Sequence, residues 1–276
     1  MRVILILVLA IIALGEPQPD VNAVVRKALS REIDRQKRLE DYTWEQKTIE
    51  KTFDQKGKLQ STKTKVFEYL VLDGSEYERL IEEDGKTLNP DRARKEQQKM
   101  DKEIARRRAE SPSARQKRVT EHAKRRAEGI KFREEVLKAF TFNIAGQESI
   151  KGLDCWKIKG ERNPNFVAQS RQGKILLGKI RGTLWVTKSN SDLMKVDAET
   201  TDTITFGGFL ASLSPGAHIA LEMLRINDEL WHPESIRIAV NARALVKRFN
   251  VEEEVAFRNF RKFKTESKLV STDETH

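Results

Sequence analysis

The sequence has very few cysteines: Cys155 is the only one among 276 residues. No intramolecular disulfide can therefore form, which excludes the small disulfide-stapled scaffolds. Glycine follows no collagen period and no heptad repeat is sustained, so the fibrous classes are excluded as well. Leu153 and Trp156 lie close to the cysteine, and this apolar setting predicts a buried position in a strand rather than a reactive thiol.

Motifs that bind metals or activate nucleophiles are also absent. His122, His218, His232 and His276 are not spaced as metal ligands, and there is no HExxH, CxxC or Asp-rich calcium loop. The sequence has neither a GxSxG elbow nor a glycine-rich phosphate loop. Adjacent acidic residues such as Glu252–Glu254 would alternate between the two faces of a strand. We therefore predict no metal, no cofactor and no enzymatic activity.

Long apolar runs are scarce. A membrane-spanning helix needs about 20 apolar residues, and the N-terminal run Val3–Leu14 has only 12. One basic residue precedes it, Ala13 and Gly15 supply the small residues of a signal-peptidase site, and Glu16–Pro19 cannot extend a helix. We predict that residues 1–15 are a cleaved secretory signal peptide, with an uncleaved N-terminal anchor as the alternative.

Positive charge is concentrated in one stretch. The chain has 52 Lys and Arg against 42 Asp and Glu, a net charge of +10. Asp91–Arg133 alone contains 16 basic and 7 acidic residues, so the rest of the chain is close to neutral. The stretch is rich in Ala, Glu, Lys, Arg and Gln, which are good helix formers. We predict a basic helical insertion at about 90–133.

Two helices are predicted in and after this stretch, over about 90–110 and about 113–140. Asn89 and Pro90 supply an N-cap and a proline at the first helical position, and Ser113 is the candidate cap of the second helix. Apolar residues recur at helical spacing only near the end of the second helix, at Phe132, Val136, Leu137 and Phe140. We expect that end to dock and the rest to be solvated.

Clustered basic side chains attract polyanions such as nucleic acid or anionic lipid. The export signal, and the lack of interleaved aromatic residues that would stack on bases, argue against nucleic acid. Two interpretations stay open: a solvated insertion without a partner, or a surface that contacts an anionic component of the cell envelope.

The remaining sequence predicts one helix, over about 20–40, followed by strands. The predicted strands are 42–53, 66–72, 76–82, 141–148, 153–160, 175–187, 193–206, 217–226, 230–240 and 252–264. Apolar and polar residues alternate along Ile180–Val186 and Ile236–Ala244, which is typical of a sheet with one covered face. Short connections, two of them Asp-Gly pairs, indicate antiparallel hairpins. The predicted class is α+β.

Most large aromatic residues fall in predicted strands: Trp44, Tyr69, Tyr77, Trp156, Trp185 and Trp231. A twisted sheet backed by two or three helices has a concave apolar face. That face is either packed solid or keeps a cavity for an apolar ligand.

Motifs in the C-terminal half carry a family resemblance. Gly182–Val186, Met194–Glu199, Leu230–Pro233 and Val255–Phe263 form a series of strands that resembles bacterial periplasmic proteins of the outer-membrane lipoprotein carrier superfamily (LolA, LolB and LppX types). Asn143–Gly152 fits the strand pair that precedes these motifs. The resemblance covers about 140–264 by motif and 20–88 by pattern only. The basic stretch is a departure from the compact carriers.

The resemblance implies a curled antiparallel sheet, a half-open β-barrel wrapped around helices, with an apolar cavity that accepts acyl chains. Residues 16–276 would form a single LolA-like domain in the periplasm, a non-catalytic carrier, chaperone or sensor of a lipid or lipoprotein. The alternative is an envelope interaction protein with a solid-packed sheet, whose basic arm binds anionic lipid, lipopolysaccharide or a protein. Neither interpretation includes a nucleic acid.

Strand alternation selects candidate cavity residues within the carrier interpretation. Leu184 and Ile238 belong to the apolar sets of their strands, and Trp44 and Trp156 lie on other strands beside apolar neighbours of matching parity. We predict that Trp44, Trp156, Leu184 and Ile238 line the concave face.

Overall fold

The chain is an α+β protein built on one antiparallel sheet that is open rather than closed. A computed structural model describes residues 18–72, 75–206, 211–244 and 247–262. The predicted signal peptide, residues 1–15, lies outside these ranges. The sheet curls around helices, which confirms the predicted fold class.

Four α-helices occur in the described ranges: α1 (Val21–Arg38), α2 (Pro90–Arg108), α3 (Pro112–Ala139) and α4 (Arg171–Leu176). A short 3-10 turn, Leu39–Asp41, follows α1. The same ranges contain thirteen strands: β1 (Tyr42–Phe53), β2 (Leu59–Leu72), β3 (Ser75–Glu83), β4 (Lys86–Thr87), β5 (Phe140–Ile150), β6 (Leu153–Arg162), β7 (Ile180–Thr187), β8 (Leu193–Thr200), β9 (Ile204–Phe206), β10 (Ala211–Leu213), β11 (His218–Ile226), β12 (Leu230–Ala244) and β13 (Lys247–Lys262).

The sheet order is β4-β3-β2-β1-β13-β12-β11-β8-β7-β6-β5, with β10 on the far end of β12 and β9 on β10. The first and last strands of the described ranges, β1 and β13, therefore lie side by side in the middle of the sheet. The helices α2 and α3 connect β4 at one edge to β5 at the other. The predicted helical insertion thus links the two edges of the sheet.

The caps of the two charged helices explain where they begin. The Asn89 side chain accepts a hydrogen bond from the Arg92 N–H (2.9 Å), as predicted. The second helix is capped by Ser111 rather than by the predicted Ser113, and the Ser111 Oγ accepts from the Ala114 N–H (3.2 Å). Pro112 explains the difference, because proline is favoured at the first helical position. Both helices otherwise agree with the predicted ranges.

Two predicted strands are partly wrong. The range 193–206 is interrupted at 201–203, between β8 and β9. The range 175–187 begins with the end of α4 and a turn, and β7 starts only at Ile180. Ser170 caps α4 by accepting a hydrogen bond from the Gly173 N–H (3.0 Å), a local signal that the apolar alternation concealed.

The buried carboxylate of Glu135 on α3 holds the segment before α4. It accepts hydrogen bonds from the N–H groups of Gln169 (3.0 Å) and Ser170 (2.6 Å) and from the Ser170 hydroxyl (2.7 Å). Burial alone raises the pKa of Glu135, but these hydrogen bonds outweigh it, so the pKa is lowered below its ordinary value. A side chain at Gly173 would overlap this carboxylate.

The main core lies where α1 and the end of α3 cover the sheet. Its fully or largely buried members are Val25, Ala28, Ala139, Phe140, Phe142, Trp156, Ile158, Leu177 and Val186. Phe132, Val136 and Leu137 pack against it, which confirms that α3 docks by its C-terminal end. Cys155, Trp185 and Met194 form a smaller cluster, and Cys155 is fully buried in β6 as predicted.

The helix α2 is solvated along most of its length, but it is fixed at its end by one buried side chain. Arg107 is 9% exposed and donates hydrogen bonds to the carbonyls of Leu72 and Glu76, at the end of β2 and the start of β3. Glu103 accepts from Arg107 (2.6 Å). The helical insertion is therefore anchored by polar contacts, which the pattern of apolar residues in its sequence did not predict.

We expect Glu135→Ala to lower the free energy of unfolding by about 3 kcal/mol, because three donors lose a charged acceptor in a buried place. The neighbouring Glu134 is exposed, so Glu134→Ala should change stability by less than about 0.5 kcal/mol. Urea unfolding at neutral pH measures both. Since the folded pKa of Glu135 is lowered, its contribution is complete above the ordinary carboxyl pKa and is lost as the pH falls through the folded value. Equal stabilities of the two variants would contradict this account.

Candidate functional site

A continuous row of apolar residues crosses seven strands of the sheet. Each member is directly opposite the next in the strand register: Ile144, Ile158, Leu184, Val196, Leu221, Ile236 and Val255. Directly paired residues project to the same face of a sheet. The row therefore defines one apolar face, which we call the inner face, and α1 packs on it.

A second row lies two residues further along each strand: Phe142, Gly160, Gly182, Ala198, Ile219, Ile238 and Glu253. Three small residues, Gly160, Gly182 and Ala198, separate Phe142 from the larger Ile219 and Ile238. A Cβ at Gly160 would lie 3.2 Å from the Phe142 ring, so glycine provides the space for this ring. Beyond Ile238 the row becomes charged. Its next member is Glu253 of β13, which is opposite Glu50 of β1.

Burial decreases along these rows from β6 to β12. Ile158 is fully buried beneath α1. On β8, β11 and β12 the side chains are only half-buried, and Ile219 is 40% exposed. We call this half-covered part the open strip, and its members are Val196, Ile219, Leu221, Ile236 and Ile238. It is the least covered apolar part of the two rows.

The register places the four predicted cavity residues on the inner face but not in one pocket. Ile238 belongs to the open strip. Leu184 lies beside the strip in the first row, opposite Val196, and packs against the main core. Trp156 is buried in the main core beneath α1. Trp44 lies on the same face of β1 as Thr48, which is opposite Val255 of the first row. It is therefore on the inner face, but it packs in a separate aromatic cluster. Whether these side chains line a ligand site stays a prediction.

The aromatic cluster at Trp44 closes the inner face near the end of α1. Trp44 stacks on Tyr69, with ring centroids 5.2 Å apart. His232 is 4% exposed, and its ring lies 4.9 Å from the Phe257 ring and 4.8 Å from the Phe260 ring. Within the described part of the chain, Nε1 of Trp44 has no hydrogen-bond partner. The cluster is a group of packed aromatic rings rather than a cavity.

Burial lowers the pKa of His232 from 6.5 to about 4, although the Pro233 carbonyl, 2.7 Å from Nδ1, favours the protonated form. Arg35 of α1 lowers this pKa further by charge repulsion. The imidazole is therefore neutral at neutral pH, as its apolar surroundings require.

One ion pair joins α1 to the sheet. Arg31 pairs with the buried Asp192, immediately before β8. A second pair, Arg35 with Glu32 at 2.8 Å, joins two residues of α1 itself. At the end of the helix, the Arg38 guanidinium donates a long hydrogen bond (3.5 Å) to the Glu229 carbonyl. These contacts hold α1 on the inner face beside the open strip and leave the strip uncovered.

A groove of about 310 Å³ lies between β1, β13, β12 and β11. Its lining residues include Ile49, Ala220 and Ala239, whose strand parity is opposite to that of the apolar rows. His218 borders it and lies 2.8 Å from Asp197. Ile238 also borders the groove, but most of the lining belongs to the outer face, away from α1.

The residues missed by sequence reasoning are the middle of the first row, Val196 and Leu221, and the exposed Ile219. Alternation along single strands identified Leu184 and Ile238 but gave no register between strands. In the described residues no three His, Cys, Asp or Glu side chains are grouped so as to bind a metal ion. No helix in the described ranges is long and apolar enough to cross a membrane.

The chain is similar to solved structures only at low identity. A DUF1329 family protein from Desulfovibrio piger is 12% identical, with 91% of this chain and 96% of that chain covered and a TM-score of 0.35. A domain from Vibrio parahaemolyticus assigned to outer membrane lipoprotein sorting is 12% identical, covering 89% and 95% with a TM-score of 0.34. A LolA superfamily protein from Nitrosomonas europaea is 10% identical, covering 88% and 92% with a TM-score of 0.31.

These solved structures include the superfamily that the sequence motifs resemble. Their TM-scores are all below 0.5. No protein-family model matches the sequence, and no curated protein is significantly similar to it.

His232 should make the stability of the fold depend on pH. Its pKa is about 4 in the folded chain and about 6.5 in the unfolded chain, so the unfolded state binds more protons between these values. Stability is therefore complete above about pH 6.5 and is lost as the pH falls through 4, by about 3 kcal/mol. We expect His232→Leu to remove this part of the pH dependence in urea unfolding. His218→Gln is the control, and a pH dependence unchanged in His232→Leu would refute the assignment.

Proposed function

We propose that the chain is an exported, non-catalytic protein whose residues 16–276 form a single domain in the bacterial periplasm. It binds a lipid acyl chain, or another apolar ligand, against the open strip. The observation that carries the proposal is the apolar row, which is buried beneath α1 at one end and only half-covered on β8, β11 and β12.

The open strip is large enough for part of an acyl chain. Neighbouring strands are about 4.8 Å apart, so the strip from β8 to β12 is about 10 Å long. The second row adds a width of about 7 Å, the rise of two residues along a strand. Covering apolar area contributes about 25 cal/mol per Å², so an apolar ligand such as an acyl chain complements this surface.

The predicted site residues have different parts in this proposal. Ile238 contacts the ligand, and Leu184 marks the point where the row passes beneath the helices. Trp156 and Trp44 form the packed walls at either end, since each belongs to a buried cluster. A ligand of this kind needs no catalytic group or cofactor, and the contact is reversible.

The test is to express the full 276-residue chain in a Gram-negative bacterium, purify it without detergent from the periplasm, and identify bound lipid in an organic extract by mass spectrometry. We expect lipid in proportion to protein, and an intact mass that begins near Glu16. The double variant Ile219→Asp, Ile238→Asp should retain less than a tenth of the lipid, because an apolar ligand would bury unpaired carboxylates.

Leu59→Asp is the control for this experiment. Leu59 is 49% exposed, comparable to Ile219, but it lies on β2 away from the open strip. It should keep the lipid and the thermal unfolding midpoint of the parent. Absence of lipid from the parent protein, or equal lipid in the double variant, would rule out the proposed site.

A second candidate function is binding of an anionic envelope surface through α3, and the charge distribution favours it. Residues 113–126 contain six Lys and Arg and one Glu. Among the described residues, no carboxylate lies within 4 Å of Lys117, Lys124 or Arg125, and all three side chains are exposed. On α2, by contrast, Arg94 and Lys99 are paired with acidic neighbours.

Charge reversal tests this second function. A basic residue near an anionic membrane contributes about 1 kcal/mol, so Lys117→Glu, Lys124→Glu, Arg125→Glu should weaken binding to phosphatidylglycerol vesicles by about 100-fold or more. The same change in net charge on α2, in Lys95→Glu, Lys102→Glu, Arg108→Glu, should have a smaller effect. Vesicle co-sedimentation at low and physiological salt measures both. Equal losses in the two variants would show that only net charge matters.

A further inference from the structure

The two edges of the sheet differ in how they are protected. At one edge β3 is strongly charged, is paired with the two-residue β4 and contacts α2. At the other edge is β5, eleven residues long, and no strand in the described ranges pairs with its outer side. An unpaired edge of this length presents a row of backbone donors and acceptors that can pair with another strand.

The open edge of β5 is almost without charge, although 34% of the chain is charged. Thr141, Asn143, Gln147 and Ser149 are its exposed uncharged polar residues, and the strand has no lysine and no proline. Its one charged residue, Glu148, turns away from the edge. The Glu148 carboxylate accepts a hydrogen bond from Nε1 of Trp185 on β7 (2.7 Å) and lies 3.9 Å from Nζ of Lys157 on β6.

Both apolar rows of the inner face end at this edge. Ile144 begins the first row and Phe142 begins the second. Ile144 is half-buried, whereas Phe142 is buried beneath the helices. A register shift between Ile144 and Gly146 interrupts the strand, so the regular part of the edge is Phe140–Ile144.

We propose that a second copy of this chain pairs with β5 in the antiparallel direction, centred on Asn143. The two-fold axis of such a pair is perpendicular to the sheet and keeps both inner faces on the same side. Phe142 of each copy is then opposite Ile144 of the other, so the apolar rows continue from one copy into the next. The polar Asn143 side chains meet on the outer face.

The charges of the chain favour this edge as the contact between two copies. Each copy has a net charge of +10, so two copies repel each other over most of their surfaces. The neutral β5 edge opposes no like charges when it pairs with itself. Screening the remaining repulsion with salt should therefore strengthen the dimer, whereas salt weakens the binding of α3 to anionic lipid.

Analytical ultracentrifugation of the purified full chain tests the proposal. We expect the average mass to rise with concentration from that of one chain toward that of two, and to rise further at higher salt. The double variant Thr141→Lys, Asn143→Lys should dimerise at least tenfold more weakly, because lysines on an open edge repel a second strand. The control Thr62→Lys, Asn241→Lys adds the same charge at exposed positions elsewhere on the sheet and should dimerise as the parent does.

A disulfide provides the second measurement. Directly paired residues of antiparallel strands have Cα atoms about 4.5–5.5 Å apart, within the range that a disulfide bridges. Asn143→Cys should therefore form a cross-linked dimer on mild oxidation, whereas Asn241→Cys should not. The native Cys155 is buried and does not compete. A chain that stays monomeric at all concentrations, or a dimer that survives the double lysine variant, would overturn the proposal.

Discussion

The packing of α1 and the end of α3 against the first apolar row is the interaction on which the rest of the structure depends. The N-terminal half of α1 contributes Val25 and Ala28 to the core, and α3 contributes Ala139 with the partly buried Phe132 and Val136. These few residues cover only the β5–β7 end of the rows. The uncovered remainder follows directly, because neither helix has enough apolar surface to cover all of the inner face.

Charged residues orient these helices more than they stabilise them. Exposed ion pairs such as Arg94 with Asp91 contribute little to stability. Two buried charges have a larger effect, since leaving their partners unsatisfied is costly. Glu135 fixes the segment before α4, and Arg107 attaches α2 to the β2–β3 hairpin. The helical insertion is therefore positioned at two points: the C-terminal end of α3 by an apolar contact, and the C-terminal end of α2 by a buried guanidinium.

Much of the fold could be predicted because its signals are local. The cap and proline at Asn89 and Pro90 place the start of α2, and β1 begins and ends where its sequence predicts. Alternation identified the inward residues of β7 and of the first part of β12. It did not identify α4, because the apolar alternation after residue 175 concealed the N-cap at Ser170, and the contact of Ser170 with Glu135, 35 residues away, is not visible in the local sequence.

The site could be predicted only in part, for the same reason. Alternation within a strand shows that Leu184 and Ile238 project inward, but it does not show which residues oppose them. The register with Val196 and Leu221 is set by pairing across strands. Burial of Trp44 and Trp156 in separate clusters depends on where the helices and His232 pack. These tertiary contacts have no counterpart in the local sequence pattern.

The central position of β1 has a consequence for when the chain folds. β1 is paired with β13, so Tyr42 is opposite Lys262. A strand near the start of the described chain is therefore completed on one side by the last described strand. Contacts between residues so distant in sequence form slowly, because the chain loses the entropy of closing a long loop before the contacts stabilise it. The pairing of β1 with β13 therefore cannot form while the final described strand is still in the ribosome. Until then β1 lacks its partner on that side, in the middle of the sheet.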